Sequence, residues 1–127
     1  MQAVHIVIGL AVLQYFFFGL LVGRARGKYN VPAPATSGDP MFERYNRVHQ
    51  NTQESLLLFL PGILIYSLYF NPTIAAGLGV IWIIGRFVYL RAYIKDPKTR
   101  GLGFALTALP SLFLLIAGLI GAVLALI

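Results

Sequence analysis

Residues 3–23 run without one charged side chain, long enough at about 1.5 Å of rise per residue to cross a hydrocarbon layer of about 30 Å. This is the first expected span. A second helix is expected over 41–70: its first part, to Glu54, is strewn with polar residues, and the stretch Ser55 to Phe70 is then apolar. Asn71-Pro72 is a turn signal, and two further apolar runs, over 74–93 and 102–127, complete four spans. The first run has no basic n-region ahead of it, is longer than a signal's apolar region and lacks a small-residue cleavage site, so it reads as a retained span instead of a cleaved signal. The pattern predicts an all-α membrane protein, one four-helix transmembrane domain covering 1–127.

Composition supports a bilayer over water. With 58% hydrophobic and 11% charged residues in 127, the chain carries more apolar surface than a soluble domain of this length can hide. Its lack of cysteine excludes disulfides, thiolate metal sites and a protein thiol as nucleophile. His5 has no second ligand at metal spacing, so no metal is expected.

Charge then sets an orientation. All ten Lys and Arg lie between Arg24 and Arg100. Arg24, Arg26, Lys28, Arg44 and Arg47 surround the first connection, Arg91, Lys95, Lys98 and Arg100 the third, and Arg86 sits inside the third span. The positive-inside rule puts loops 1 and 3 in the cytoplasm and both termini on the opposite side. The net charge of +6 is therefore topological, and no basic helix away from the membrane suggests nucleic acid.

The ionisable residues near the apolar runs are the candidates for chemistry. At about 100° per residue, Arg44, Arg47, Asn51 and Glu54 form one polar stripe entering the second span. The first loop, Arg24 to about Pro40, is the only long connection, and Asp39 before Pro40 fits an N-cap with proline at the first helical position. On the third helix Arg86, Tyr89 and Tyr93 share a face. A guanidinium inside a span needs a partner, and Glu54 is the available counter-charge. Taken alone, Tyr89 and Tyr93 read as interfacial belt residues, and Arg91, Lys95 and Lys98 as headgroup contacts. Gly19/Gly23, Ala75/Gly79 and Ala117/Gly121/Ala125 have the small-residue spacing of close helix contacts, and Pro61 and Pro110 are expected to kink their helices.

Phe42-Glu43-Arg44 followed by Arg47-Val48-His49-Gln50-Asn51-Thr52-Gln53-Glu54 resembles the R-x-H-Q-N-T-x-E signature of the MAPEG superfamily, the membrane-associated proteins of eicosanoid and glutathione metabolism. Asn71 to Tyr93, with Ala75 to Arg86 at its centre, is similar to the type 3 microsomal glutathione transferases in particular. The resemblance covers Gly23 to Arg100. It implies a four-helix bundle assembled as a homotrimer, with glutathione held between neighbouring subunits near the cytoplasmic face.

It also implies roles. Arg26, Arg47, Asn51, Glu54, Tyr89 and Tyr93 match glutathione contacts, and His49 stands where the family has His or Gln. Arg86 joins this binding set on its charge, and Arg100 matches the arginine that stabilises the glutathione thiolate. The implied activity is a glutathione transferase, with peroxidase chemistry as a second outlet, acting on lipophilic electrophiles or lipid hydroperoxides that arrive from the bilayer. Glutathione is the co-substrate and no metal is involved.

Departures from the pattern narrow this. Ser55 stands where leukotriene-synthase-like members have tyrosine, and Gly27 where they have a second arginine, which argues against leukotriene synthesis. Gly101 and Gln50 replace a serine and an arginine of the prostaglandin-synthase-like branch. Two other readings stay open: a non-catalytic lipid-binding or scaffold protein of the same fold, and a small four-span exporter. The exporter is disfavoured because Gln14 stands as the polar mid-helix residue of a first span that lacks an exporter's glutamate.

Overall fold

The structure, a computed structural model describing residues 1–127, contains four long helices and one short 3-10 turn. They are α1 (Gln2–Tyr29), α2 (Pro40–Tyr69), α3 (Pro72–Lys95) and α4 (Gly101–Leu126), with the 3-10 turn Pro97–Thr99 leading into α4. α1, α3 and the segment Pro97–Leu126 are each long and apolar enough to cross a membrane. α2 does not meet that measure, because its first half carries Glu43, Arg44, Arg47 and Glu54 and leaves too short an apolar remainder.

Local chemistry starts and stops the helices where proline and the short polar residues stand. The Asp39 carboxylate accepts from the amides of Met41 and Phe42 at 2.9 and 3.0 Å, with Pro40 at the first helical position. Glu43 reaches back to accept from the Gly38 amide at 3.3 Å. Asp39 thus satisfies two amides that the helix itself leaves without partners, and Glu43 fixes the residue ahead of the cap. Asn71 caps α3 in the same way, through Thr73, ahead of Pro72. α1 extends further than expected: it runs to Tyr29, so Arg24, Arg26 and Lys28 lie on helix and not in the loop. Asn30 ends it in the left-handed conformation (φ 56°), its amide donating to the Arg26 carbonyl.

α2 and α3 occupy the middle, with α4 packed along both and α1 against their other side. The core between α1, α2 and α3 centres on Trp82, stacked on Phe59 at 4.6 Å between ring centroids, with Val4, Val7, Ala11 and Ile63 around the pair. Trp82 donates to the Ser55 hydroxyl at 3.0 Å, which gives the buried indole its partner. Outward, α1 and α4 present Leu13, Phe16, Leu20, Leu109, Leu119 and Leu124 to the surroundings, each more than half exposed. An envelope of this kind belongs in lipid or against another apolar surface.

The approach of α4 is set by glycines. A Cβ at Gly103 would lie 2.5 Å from the Tyr89 backbone nitrogen, and one at Gly85 would lie 2.7 Å from the Leu106 Cβ. Gly62 and Gly118 admit α2 and α4 to each other similarly, and Gly121 meets Tyr69 and Phe70 as the small-residue spacing implied. Gly79 packs on Val7 and Gly19 on His49, whereas Gly23 meets nothing within 4 Å and takes no part in packing within the chain. Because the obstacle at Gly103 is main chain, Gly103→Val has no room to relax. Overpacking of this kind costs about 1–3 kcal/mol or more, so a clear drop in unfolding temperature in detergent is expected, against little change for Gly27→Val, whose Cβ meets open space.

Candidate functional site

α2, α3 and α4 enclose a cleft of about 250 Å³ whose walls include Arg47, Asn51, Glu54 and Ser55 of α2, Arg86 of α3, and Thr107 and Ser111 of α4. One helical stripe supplies the α2 wall: Arg47, Asn51 and Glu54 are successive turns on one face. Arg44, the first residue of that stripe, is used elsewhere. Its guanidinium donates to the carbonyls of Ile94 at 2.7 Å and Lys95 at 3.3 Å, tying the start of α2 to the end of α3, where free carbonyls and the helix dipole both favour a cation.

Arg86 is fully buried at the inner end of the cleft. Its Nη2 donates to the Asn51 side-chain oxygen at 2.9 Å, its Nη1 to the Thr107 hydroxyl at 3.4 Å, and its guanidinium lies 4.3 Å from the centre of the Tyr89 ring. Nε has no partner. The expected pairing with Glu54 is not formed. Glu54 instead lies 3.9 Å from Arg47, and both side chains are about half exposed, so the pair contributes little to stability and leaves both groups free to turn to a ligand. The physical reason is depth: Glu54 sits at the exposed rim of α2 while Arg86 is enclosed, and neutral oxygens plus an aromatic face satisfy the cation in place of a carboxylate.

Tyr89 is fully buried and stacked on Tyr93 at 5.6 Å, which removes it from any interfacial belt. Its hydroxyl has no hydrogen-bond partner, although Arg100 lies near it. Arg100 itself occupies the N-cap position of α4, exposed, on the same end of the bundle as Tyr93. A cation there stands beside the free amides of a helix N-terminus, an arrangement suited to an anion.

His49 and Arg26 face the other way. The His49 ring stacks on Tyr15 of α1 at 4.4 Å and packs against Gly19, on the side of α2 opposite the cleft. Arg26 donates to the carbonyls of Ala35 at 2.6 Å and Val31 at 3.5 Å and covers the Phe42 ring at 4.7 Å, fastening the first loop to the end of α1. Within the chain, therefore, the candidates divide into two groups: Arg47, Asn51, Glu54, Arg86, Tyr89, Tyr93 and Arg100 toward α3 and α4, and His49 and Arg26 toward α1. Thr107 and Ser111 were not anticipated from the sequence. Their signal was present, since they are the hydroxyl pair of α4 at i and i+4 in an otherwise apolar helix.

The model of the MAPEG family matches residues 4–120. The chain belongs to the MAPEG family. At 44% identity it is similar to an uncharacterized protein of Synechocystis sp., over 91% of this chain and 84% of the other. It is 40% identical to human microsomal glutathione S-transferase 2 over 77% of this chain and 67% of that protein, and 35% identical to guinea-pig leukotriene C4 synthase over 72% and 61%. Of these relatives the human protein carries the type 2 name. In this MAPEG chain the signature segment 47–54 thus spans both faces of α2, Arg47, Asn51 and Glu54 toward the cleft and His49 toward α1.

Proposed function

We propose that this MAPEG protein is a membrane-embedded glutathione transferase, with glutathione peroxidase activity as a second outlet. The observation that carries the reading is the cleft, where two cations, an amide and a carboxylate line one wall system in a chain similar to microsomal glutathione S-transferase 2. Glutathione has two carboxylates and one ammonium. Arg47 and Arg86 suit the carboxylates, Glu54 suits the ammonium, and charge-assisted bonds of this type are the stronger class. Arg26, His49, Asn51, Tyr89 and Tyr93 complete the proposed binding set.

Arg100 is proposed to favour the thiolate. A thiol with a pKa of about 8.5 is only a few per cent ionised at neutral pH. A guanidinium beside it, with helix amides behind, shifts that balance. The thiolate sulfur then attacks an electrophilic carbon and displaces its leaving group, or two glutathiones reduce a hydroperoxide to alcohol and water while forming their disulfide. No covalent bond to the protein is needed, in keeping with a chain that lacks cysteine.

The division of candidates between two faces of one subunit supports a site completed between copies. In the proposed homotrimer the exposed cleft of one subunit meets the Arg26 and His49 side of the next, with loops 1 and 3 in the cytoplasm and the apolar second substrate entering from the bilayer. Cross-linking in mild detergent is expected to trap trimers. Ser55 stays engaged with Trp82, so no phenol stands at that place, which disfavours leukotriene synthesis despite the likeness to leukotriene C4 synthase.

The deciding experiment incubates purified protein and glutathione with a halogenated aromatic and, separately, a fatty-acid hydroperoxide. Conjugate or glutathione disulfide is expected. Failure of both, with no thiolate absorbance on adding glutathione, would favour a lipid-binding or scaffold role. Within the site, Arg47→Ala is expected to weaken glutathione binding by about 10-fold or more, the worth of one charge-assisted bond. Arg91→Ala, an exposed cation off the cleft, is expected to change it less than about 2-fold by isothermal titration. Equal affinities would misplace the site.

A further inference from the structure

A second pocket, of about 100 Å³, lies between the last turns of α1 and the start of α2, away from the cleft. Arg24 and Lys28, one turn apart on α1, stand on its rim with Tyr29 and with Tyr45 of α2, and Leu21 closes it below. Neither cation has a carboxylate within 4.0 Å. The chain has four acidic residues and all are engaged: Asp39, Glu43 and Asp96 accept from backbone amides, and Glu54 lies beside Arg47. The charge at this pocket therefore has no counterpart inside the protein.

The surface below it is apolar and bare. Leu13 and Phe17 continue the face of α1 that carries Arg24 and Lys28, and both are exposed, Leu13 at 63% and Phe17 at 45%. A pair of unmatched cations at the end of a span, two phenols beside them and an apolar track running inward have the amphipathic order of one phospholipid molecule. Basic pockets between helices at a membrane edge bind anionic headgroups, each nearby cation adding several-fold in affinity.

We propose that this pocket is a binding site for an anionic phospholipid, its phosphate between Arg24 and Lys28 and an acyl chain along Phe17 and Leu13. The site is separate from the cleft and stands whether or not the glutathione reading does. Two cations predict a preference for anionic over zwitterionic lipid of about 10- to 30-fold.

The test is native mass spectrometry of the full chain in detergent with dioleoylphosphatidylglycerol, dioleoylphosphatidylcholine or inorganic phosphate added. The expected result is preferential retention of phosphatidylglycerol, lost in Arg24→Gln/Lys28→Gln, kept in Arg24→Lys and kept in the exposed control pair Arg91→Gln/Lys98→Gln. Equal retention of both lipids, or an equal loss in the control pair, would overturn the site. Displacement of the lipid by millimolar phosphate would reduce it to an anion site and overturn the acyl track. A bismaleimide cross-link between copies through Leu13→Cys, the sole thiol in the chain, would show that another subunit covers this face and would also overturn the proposal.

Discussion

Arg100→Leu is expected to keep glutathione affinity within a few-fold of the parent while lowering kcat/KM by about 30- to 150-fold near neutral pH. The first half follows from geometry: Arg47 and Glu54 line the cleft and Arg86 closes its inner end, whereas Arg100 stands at the start of α4 beside Tyr89 and outside that wall. The second half follows from charge. Losing roughly 2 to 3 kcal/mol of thiolate stabilisation returns the bound thiol toward its free pKa of about 8.5. The sign fixes the pH window. In the parent the thiolate is expected at neutral pH; in the variant it is expected only as the pH approaches and passes about 8.5, so the deficit should be largest at neutral pH and shrink in alkali. A misfolded variant would be depressed at every pH. Parental activity and parental thiolate absorbance at pH 7 would remove Arg100 from the chemistry and direct attention to Tyr89, whose buried hydroxyl has no hydrogen-bond partner.

What the sequence made legible was mostly local. Asp39-Pro40 announces a helix start, because a short oxygen acceptor ahead of a proline has few other uses, and Asp39 caps as expected; Asn71-Pro72, read as a turn, proves to be the same kind of cap. The stripe Arg47, Asn51, Glu54 follows from helical period alone, and the structure puts all three on one cleft. Long-range partners were not legible. Arg86 was matched with Glu54 by charge, yet depth decides the contact, and depth depends on where α3 and α4 cross. Arg44 looked like part of the stripe because period cannot tell a cleft from the carbonyls at the end of a neighbouring helix. The glycines that set that crossing, Gly85 and Gly103, belong to no glycine or alanine pair four apart, since each works singly against the opposite helix.

The same geometry explains why the division of the site between two faces was invisible in the motif. His49 and Asn51 are two residues apart, which on a helix turns them about 200° from each other. A segment read as one string is therefore, in three dimensions, two faces back to back: one opening to the cleft, one lying against Tyr15.

Arg86→Met is expected to leave the protein at least as stable as the parent and to weaken glutathione binding by about 10- to 150-fold. Arg86 is a cation enclosed in protein with Nε unpartnered and no carboxylate within 4.0 Å. Its desolvation is offset only by Asn51, Thr107 and the Tyr89 ring. Exchange of an imperfectly compensated buried charge for an apolar side chain of similar reach is commonly neutral or stabilising. Binding should respond in the opposite sense, because a ligand carboxylate reaching the inner end of the cleft loses a charge-assisted bond worth roughly 1.5–3 kcal/mol. Asn51→Leu provides the contrast. It keeps the cation and removes its shortest bond, which is expected to cost about 1–3 kcal/mol or more and to lower the unfolding temperature. Thermal unfolding in detergent without glutathione, paired with isothermal titration, reads both quantities. If Arg86→Met unfolded well below the parent yet bound glutathione unchanged, Arg86 would be a structural cation and the ligand carboxylates would have to be held by Arg47 and the neighbouring subunit alone.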